Sequence, residues 1–544
     1  MIAQLLSFAF ITFNSFVWGA IIKRITSWTT SFYLDFLVGF AACNAILTLV
    51  SIFYPINEQI SVLLLAISSG ILVFNLGWMR QYSKCIYTTL ILMMRQYYVW
   101  FSLAVIFVII VFFKSLYSPS LHYDAGLYHI QSIKWISEYP TVKGLGNLNY
   151  TFGYNFNIFT WFAASSFQGF FKQPIYSVNF TLTFFFAFFI FCHLAIQVKF
   201  KRYFLAGAFL LILYSTIYHY YPHISTTTNN IAVFILITTI FISLTEVDKK
   251  NDLIFPIIIL SVYSVTIKIS ALPVLLLAAY LSLNKLNLKN RRKYIDCLVI
   301  CCLILLPWLY KNVILTGWVI YPINYIDLFS FEWKIPYENV VEIKRMIKIF
   351  TQGGESNWII PWVKSQNIAD ILILSGALIL SGIVLLKILT KKIYKSQTLL
   401  VGIITSLSGV LFMFFNAPNL WYGMSFVCCT ILLAMNFINI ESNICKYLFY
   451  GAGILIFSTF LKDNWFHPWH FTKHLSERYL LPYPIDKQPN SSFSYFLIDK
   501  KIKCYYPIFS DQCYDYNLPC TYKENQELHL IGGTIKEGFY YKSK

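Results

Sequence analysis

The chain has 544 residues, of which 58% are hydrophobic and only 12% are charged. Soluble domains carry about a quarter charged residues, so this composition excludes an ordinary soluble protein. The net charge of +18 does not indicate nucleic-acid binding, because the basic residues stand in short clusters between long apolar runs, as in cytoplasmic loops of membrane proteins. We therefore interpret the chain as an all-α polytopic membrane protein and expect no nucleic-acid partner.

Fourteen apolar segments are predicted to cross the membrane, since each approaches the roughly 20 residues that a spanning helix needs. In chain order they are 3–22, 33–54, 60–78, 97–113, 175–198, 203–219, 229–246, 253–268, 271–284, 297–315, 369–389, 397–415, 421–438 and 446–461. Segment 154–170 is also apolar but contains Asn155, Asn157 and Gln168. We expect it to lie at the interface or to re-enter the bilayer rather than to cross it.

The basic clusters between these segments predict the orientation, because such clusters favour the cytoplasmic side. They are Lys23-Arg24, Arg80/Lys84/Arg95, Lys199/Lys201/Arg202, Lys249-Lys250, 285–293 and Lys391/Lys392/Lys395. All fall inside only if 154–170 does not cross, which places both termini outside. The predicted organisation is then N-terminal spans over 1–113, a first large outer loop over 114–174, a membrane bundle over 175–461 with outer loop 316–368, and a small extracytoplasmic domain over 462–544.

The first outer loop holds an unusual density of ionisable and aromatic residues. A helix over 121–138 would bring Asp124, Tyr128, Gln131, Trp135 and Glu138 onto one stripe. Its opposite face is apolar, which is typical of an amphipathic helix in the membrane interface. We expect the apolar face to rest on the bundle or on lipid and the polar face to border an aromatic cleft, with Tyr123, Tyr128 and Glu138 as candidate substrate-binding residues.

Asp124 stands close to the predicted helix N-terminus, where the helix dipole favours an ionised carboxylate. Such a carboxylate can accept a proton from a hydroxyl. It can also hold a divalent cation such as Mg²⁺ or Mn²⁺, with His122 or His129 as helpers, although no cofactor is required by the pattern. The alternative interpretation is that Asp124 is only a helix cap and the histidines are interfacial polar groups.

The remaining candidate binding residues also lie at predicted outer positions. Lys268 ends one span immediately before the next begins, and a lysine at that depth indicates either a bound anion such as a lipid phosphate or a snorkelling side chain. Lys311, with Tyr310 and Asn312 at another span end, has two interpretations: a contact to a phosphate or an anchor at the membrane interface. Two polar stretches complete the candidates, namely "YYPHISTTTNN" with His223, and the asparagines Asn147 and Asn149 on either side of Leu148, followed by Tyr150. These polar stretches suit sugar hydroxyls, but they also simply make turns.

Twelve cysteines are present, and nine lie in or beside apolar spans, where cysteine usually acts as a small buried hydrophobic residue. The other three, Cys504, Cys513 and Cys520, lie in the polar tail. Three cysteines cannot all pair with one another, so a Cys513–Cys520 disulfide and a bridge that uses Cys504 are both open.

An Asp in the first large outer loop, an interfacial helix after it, many spans and basic residues at outer span ends resemble the GT-C superfamily of membrane glycosyltransferases. The stretch "KNVILTGWVIYP" resembles the R-N-x-x-x-x-G-N-P-x-Y-P-like stretch of bacterial members, with Lys311 in place of Arg and Trp318-Val319 in place of Asn-Pro. "HYDAGLYH", "TIKISALP" and the tail "CYDYNLPC…LHLIGGTIKEGFYY" also resemble an uncharacterised family of large bacterial membrane proteins encoded by surface-polysaccharide producers.

The chain departs from these relatives at two places. Relatives carry an acidic residue and an Arg in the stretch that matches "APNLWYG", where this chain has Asn419 and Trp421. Three additional spans precede the first large outer loop.

The resemblance implies a GT-C-like helical bundle in the bacterial inner membrane with its active face outside. It implies a polyprenyl-phosphate-linked sugar as donor, a glycan or glycolipid as acceptor, and membrane lipid as surroundings. Asp124 would be the general base, while Lys268 and Lys311 would stabilise the departing lipid phosphate. The alternatives are an O-antigen or capsule polymerase or ligase, a polysaccharide-precursor transporter or flippase, and a non-catalytic scaffold.

Overall fold

The computed structural model describes residues 1–116, 123–284, 291–352, 357–390, 397–438, 440, 442–465, 480–482 and 492–541. Helices dominate it. The first half of the chain contains α1 Ile2–Thr26, α2 Phe32–Phe53, α3 Glu58–Phe74, α4 Leu76–Gln96, α5 Tyr98–Leu116, α6 Ile130–Glu138, α7 Leu145–Leu148, α8 Phe159–Ala164, α9 Gln168–Phe171, α10 Val178–Lys199, α11 Tyr203–Ser215, α12 Asn230–Leu244 and α13 Ile254–Ile267.

The second half contains α14 Val274–Asn284, α15 Arg291–Thr316, α16 Tyr337–Gln352, α17 Ile359–Ser365, α18 Ile368–Leu389, α19 Gln397–Asn416, α20 Leu420–Ile438 and α21 Asn443–Trp465. Four short strands follow, namely β1 Phe493–Ile498, β2 Ile502–Pro507, β3 Leu528–Leu530 and β4 Phe539–Tyr541. Thirteen of the fourteen predicted apolar segments each overlap with one of these helices, whereas 60–78 runs past the end of α3 into α4.

Ten of the described helices are long and apolar enough to cross a membrane, and this makes the chain a multi-pass membrane protein. The other predicted segments are shorter or bent. Helices α12, α13 and α14 are apolar but short, while α3 and α4 pass the same test only as a pair that bends by 93°. Helix α4 was predicted as a basic loop, because Arg80, Lys84 and Arg95 interrupt its apolar residues.

Hydrogen bonds between loops that are distant in sequence define two ends of the helical bundle. One end joins the turns at Thr29 and Asp252, where Lys293 and the Thr29 amide both bind the Asp252 carboxylate at 2.8 and 2.9 Å. The Lys23 ammonium contacts Asp35 at the same end, at 2.8 Å. This basic end carries many of the predicted cytoplasmic clusters, although residues 285–290 and 391–396 lie outside the described part.

The other end, here called the site end, brings together the loops that were predicted to lie outside. The Ile56 amide donates to the Ile136 carbonyl, and the Thr141 hydroxyl donates to the Ser51 carbonyl. Lys268 contacts the start of α12. The predicted grouping of these loops on one side is therefore observed, whereas their orientation relative to the cell stays a prediction.

Segment 154–170 does not form a spanning helix. It contains only the short helices α8 and α9, and α8 is buried against α2. The Asn157 side chain accepts a hydrogen bond from Thr48 and donates to Thr266 at 3.2 Å, while Asn44 donates to Thr160 at 2.5 Å. Irregular backbone inside a membrane bundle is tolerated when neighbouring helices satisfy its polar groups, and α2 and α13 do so here.

The described C-terminal residues 492–541 form two antiparallel hairpins, β1–β2 and β3–β4. A disulfide joins Cys513 to Cys520, and Cys504 is a buried free thiol. The hairpins share a hydrophobic core with the first loop, in which Phe496 and Phe539 pack with Trp135 and Leu148. This segment thus rests on the loop rather than standing apart from the bundle.

Candidate active site

Asp124 lies at the start of the helix that was predicted over 121–138, but the first turn is not α-helical. Residues Ala125–His129 form a π-helical turn that continues into α6. Such turns insert one extra residue and are frequent at functional sites. Burial raises the pKa of the Asp124 carboxyl, and the nearby Lys268 opposes that shift. The helix dipole was expected to keep this carboxyl ionised, but desolvation acts in the opposite direction and is larger.

Lys268 is the cation of this site. Its backbone leaves the helical conformation at the end of α13 (φ −157°, ψ 129°), which turns the chain before α14. The Lys268 ammonium donates to the Asn230 side chain at 2.6 Å and lies 3.7 Å from the centre of the Tyr422 ring. This hydrogen bond and cation–π contact hold the ammonium while leaving its charge to act on Asp124.

Three tyrosines complete the surroundings of Asp124. Tyr128, Tyr154 and Tyr422 each interact electrostatically with the Asp124 carboxylate. The Tyr128 and Tyr154 rings are 5.7 Å apart. We define the acid–lysine cluster as Asp124, Lys268, Asn230 and these tyrosines. It joins the first loop, α12, α13 and α20, so residues remote in sequence form one site.

The α20 end of the cluster explains one departure from the resembled pattern. The Asn419 side chain accepts a hydrogen bond from the Trp421 amide at 3.0 Å, which caps the first turn of α20. The His223 ring lies 4.9 Å from the Trp421 ring. His223 therefore packs on Trp421, which directly precedes Tyr422 of the cluster. Asn419 caps α20 at the position where the resembled proteins are expected to carry an acidic residue.

The two loop histidines have different outcomes. His129 is buried, with 1% of its surface exposed, and its ring lies 5.1 Å from that of Phe159 and 4.5 Å from that of Tyr128. Its catalytic role stays a prediction, and the aromatic surroundings do not favour it. His122 lies outside the described residues.

Lys311 lies beside a cavity that borders the acid–lysine cluster at Tyr154. Its side chain is 4% exposed, and its ammonium donates to the Ser51 hydroxyl at 3.1 Å. It lines a cavity of ≈ 40 Å³ together with Thr141, Tyr154 and other residues of the first loop, which is large enough for ordered water. Among the described residues Lys311 has no carboxylate partner. The structure thus brings only one of the two predicted lysines to Asp124.

The neighbours of Lys311 are structural. Asn312 accepts from Asn155 at 2.8 Å and donates to the Val319 carbonyl at 3.0 Å, which fastens the turn after α15. Gly317 has φ +76° in that turn, a conformation that favours glycine. Tyr310 is 56% exposed on the other face of α15, away from the cluster.

Asn147 anchors the C-terminal segment and Asn149 caps the turn that follows it, so neither belongs to the cluster. Asn147 donates to the Trp333 and Phe539 carbonyls at 2.8 and 3.2 Å. Asn149 accepts from the Thr151 amide at 3.0 Å, and the Tyr150 hydroxyl meets that of Tyr541 at 3.1 Å. Buried Leu148 packs between them into the shared core.

The predicted stripe on the first-loop helix is covered rather than open. Gln131 is buried and donates to the Tyr514 and Tyr516 carbonyls of the C-terminal segment, at 3.0 and 2.9 Å. Tyr123 is exposed and donates to Asp511. Glu138 is exposed at the far end of α6, about 20 Å of helix away from Asp124. Only the first part of the stripe therefore borders the cluster.

A metal ion does not fit the described site. Within the ranges that the structure describes, no three His, Cys, Asp or Glu side chains are close enough together to hold one. The cation that faces Asp124 is Lys268, and an ammonium beside a carboxylate disfavours a second cation there. The reaction proposed below therefore uses no metal ion.

Sequence reasoning missed Asn230, Tyr154 and Tyr422 as members of the cluster. Each stands inside a polar or aromatic stretch that attracted attention, namely "STTTNN", "GYNFN" and "NLWYG". The composition of these stretches gave a signal, but which residue faces Asp124 depends on how distant segments pack.

The chain is a multi-pass membrane protein with a partly buried acid–lysine cluster at one end of its helical bundle. The chain belongs to a family described as a domain of unknown function (DUF8201), whose profile matches residues 1–428. All members of the acid–lysine cluster fall within the matched residues. No curated protein and no solved structure matches the chain.

Proposed function

We propose that the chain is a membrane glycosyltransferase of the GT-C type. It transfers a sugar from a polyprenyl-phosphate-linked donor to a surface glycan or glycolipid acceptor. The observation that supports this proposal is the half-buried pair of Asp124 and Lys268, in which a base and a cation interact electrostatically among tyrosines at one end of a membrane bundle. No nucleotide-binding glycine motif is present in the sequence, as expected if the activated sugar arrives on a lipid.

In the proposed reaction the acceptor hydroxyl attacks the anomeric carbon of the donor sugar. A new carbon–oxygen bond forms while the bond to the phosphate oxygen breaks, and the polyprenyl phosphate leaves with the electron pair. The Asp124 carboxylate takes the hydroxyl proton, and the stereochemistry at the anomeric carbon inverts. A base whose pKa is raised toward neutrality is better matched to this task than an ordinary aspartate.

Lys268 stabilises the negative charge that grows on the leaving phosphate, since charge stabilisation in a water-poor site is the largest catalytic contribution available. We assign the phosphate to Lys268 in preference to Lys311, because only Lys268 interacts with Asp124. Lys311 then contributes to donor binding only if its cavity opens.

The test uses the purified protein in liposomes with radiolabelled undecaprenyl-phosphate hexoses as donors. Labelled sugar should pass to an added glycan acceptor, and the variant Asp124→Asn should abolish the transfer. Glu138→Gln is the matched control, because it neutralises a carboxylate on the same helix outside the cluster. Transfer at wild-type rate by Asp124→Asn contradicts the proposal.

A transporter or flippase of polysaccharide precursors is the second candidate. The polar contacts of Asn44, Asn157 and Thr266 within the bundle favour it, because polar residues at membrane depth mark transport pathways. These groups bond to one another, which also suits a purely structural role. Net movement of undecaprenyl-phosphate hexose across the liposome without sugar transfer supports the transporter and excludes the enzyme.

We also propose that all fourteen predicted segments cross a bacterial inner membrane and that the site end faces outward. The positive-inside rule supports this orientation. Membrane-impermeant maleimide added to intact cells should label a cysteine placed at exposed Glu524 and should not label one at exposed Lys249. The reverse pattern would invert the orientation.

A further inference from the structure

The loop closed by the Cys513–Cys520 disulfide lies directly over the Asp124 segment. We call residues 510–521 the disulfide loop. The Tyr514 amide donates to the Gly126 carbonyl at 2.9 Å, and the Gln512 side chain donates to the Tyr123 carbonyl at 2.9 Å. The Tyr123 hydroxyl binds the Asp511 carboxylate. Asp124 is thus bracketed on both sides by backbone that this loop holds.

The same loop is fastened further along the first-loop helix. Lys134 lies 3.3 Å from the Asp515 carboxylate and donates to the Tyr516 carbonyl at 3.1 Å. At the other end of the loop, the Thr521 hydroxyl donates to the Leu148 carbonyl at 2.8 Å. The disulfide joins two parts of the loop that are each anchored to the first loop, so it limits how far either part can move.

Gly126 shows how closely the loop approaches. A Cβ atom on Gly126 would lie 2.7 Å from the Tyr514 ring and 3.1 Å from the Gln512 side-chain carbon. The first distance is shorter than van der Waals contact, so any larger residue at position 126 displaces the Tyr514 ring. The absence of a side chain at Gly126 therefore allows the Tyr514 ring to pack this closely on the Asp124 segment.

We propose that Gln512 and Tyr514 are positioning residues, and that the disulfide loop holds the Asp124 segment in place and limits the access of water to the Asp124 carboxyl. This inference rests on the proposed function for its catalytic meaning. Its physical content, that the loop restrains the Asp124 segment, is measurable without any activity.

The first experiment measures hydrogen exchange of the full-length protein in detergent. In the variant Cys513→Ser/Cys520→Ser, the amides of residues 125–131 should exchange at least about tenfold faster than in wild type, because the restraint on that helix is released. Lys503→Ala is the control, since Lys503 is an exposed residue of β2 outside the loop. Unchanged exchange of 125–131 in the double serine variant overturns the proposal.

The second experiment reads the pH dependence of sugar transfer. The groups that act on Asp124 are Lys268 after α13, Tyr422 from α20, Tyr154 from the 150–154 turn, and Tyr123 and Tyr128 from its own segment. Tyr514→Ala leaves these groups in place but admits water. Because burial raises the pKa of Asp124, hydration should lower it, and the acid limb of the rate profile should move to lower pH.

A rescue variant separates positioning from general damage. Gly126→Ala alone should reduce transfer about tenfold and shift the acid limb, whereas Gly126→Ala/Tyr514→Ala should be no worse than Tyr514→Ala, since the ring that the new methyl group strikes is gone. A lower rate with an unshifted acid limb overturns the positioning role. If wild type transfers no sugar, the proposed function fails, and the exchange experiment still decides whether the loop restrains the segment.

Discussion

The two lysines at the site end differ in what faces them. Lys268 and Lys311 both follow long apolar stretches, and both were predicted to bind a lipid phosphate. In the structure Lys268 interacts with Asp124, Asn230 and Tyr422. Within the described part of the chain Lys311 donates to Ser51 alone, beside a small cavity. The same residue type at equivalent positions has therefore been placed in two different electrostatic environments.

The role of a lysine at this end of the bundle therefore depends on the residues that surround it. A lysine near a carboxylate can bind an anion, and its charge also lowers the pKa of that carboxylate. A lysine among hydroxyls and aromatic rings carries the desolvation cost of its charge without a compensating partner. In the proposed reaction the acid–lysine cluster is the chemical site, and the Lys311 cavity borders it at Tyr154.

The largest expected effect comes from removing the acid that distinguishes the two lysines. Asp124→Asn should lower sugar transfer by about 10²–10⁴-fold, the usual contribution of a general base. Protein abundance should stay normal, because the amide keeps the shape of the side chain. Initial rates in liposomes with undecaprenyl-phosphate hexose measure the loss, and quantitative blotting measures abundance.

The next effect tests whether Lys268 is more than a structural cation. Lys268→Met should lower transfer by about 10²-fold, comparable to the loss of one charge-stabilising donor. The nearby ammonium lowers the pKa of Asp124, so its removal should raise that pKa and move the acid limb of the rate profile to higher pH. Lys268→Arg should retain much of the activity, and a Met variant with an unshifted limb would argue against coupling to Asp124.

The variant Lys311→Met tests the lysine that has no carboxylate partner among the described residues. It should change transfer by no more than about threefold, because no described carboxylate depends on Lys311. Because Lys311 carries the desolvation cost of its charge without a carboxylate partner among the described residues, an apolar side chain of similar volume should not lower the melting temperature in detergent. A loss as large as that of Lys268→Met would show that both lysines serve one site.

Much of the fold follows from local sequence, because each helix that is long enough to cross the membrane has its own run of apolar residues. All fourteen predicted segments overlap with helices. Segment 154–170 was separated from them by its amides, of which the Asn157 side chain bonds to Thr48 of α2 and to Thr266 of α13. Helix α4 was missed. Its sequence is amphipathic and basic, and whether such a stretch is helical depends on the surface that it packs against as well as on its length.

The site could be predicted only in part, for a physical reason. The density of ionisable groups around Asp124 was visible in the sequence, as was the exceptional depth of Lys268. That these two meet, whereas Lys311 does not join them, depends on the packing of four distant segments. Likewise, the cover over Gln131 comes from a segment nearly 400 residues later, which no periodicity could indicate.

The smallest expected effect concerns residues that share the predicted stripe or span end but not the cluster. Glu138→Gln and Tyr310→Phe should each change transfer by less than about twofold. Glu138 is exposed, and its charged neighbours are Lys134 and Asp515 rather than Lys268. Tyr310 points away from the cluster, on the exposed face of α15. Measured beside Asp124→Asn in one preparation, a large loss in Glu138→Gln would extend the site along α6 and remove the contrast between its two ends.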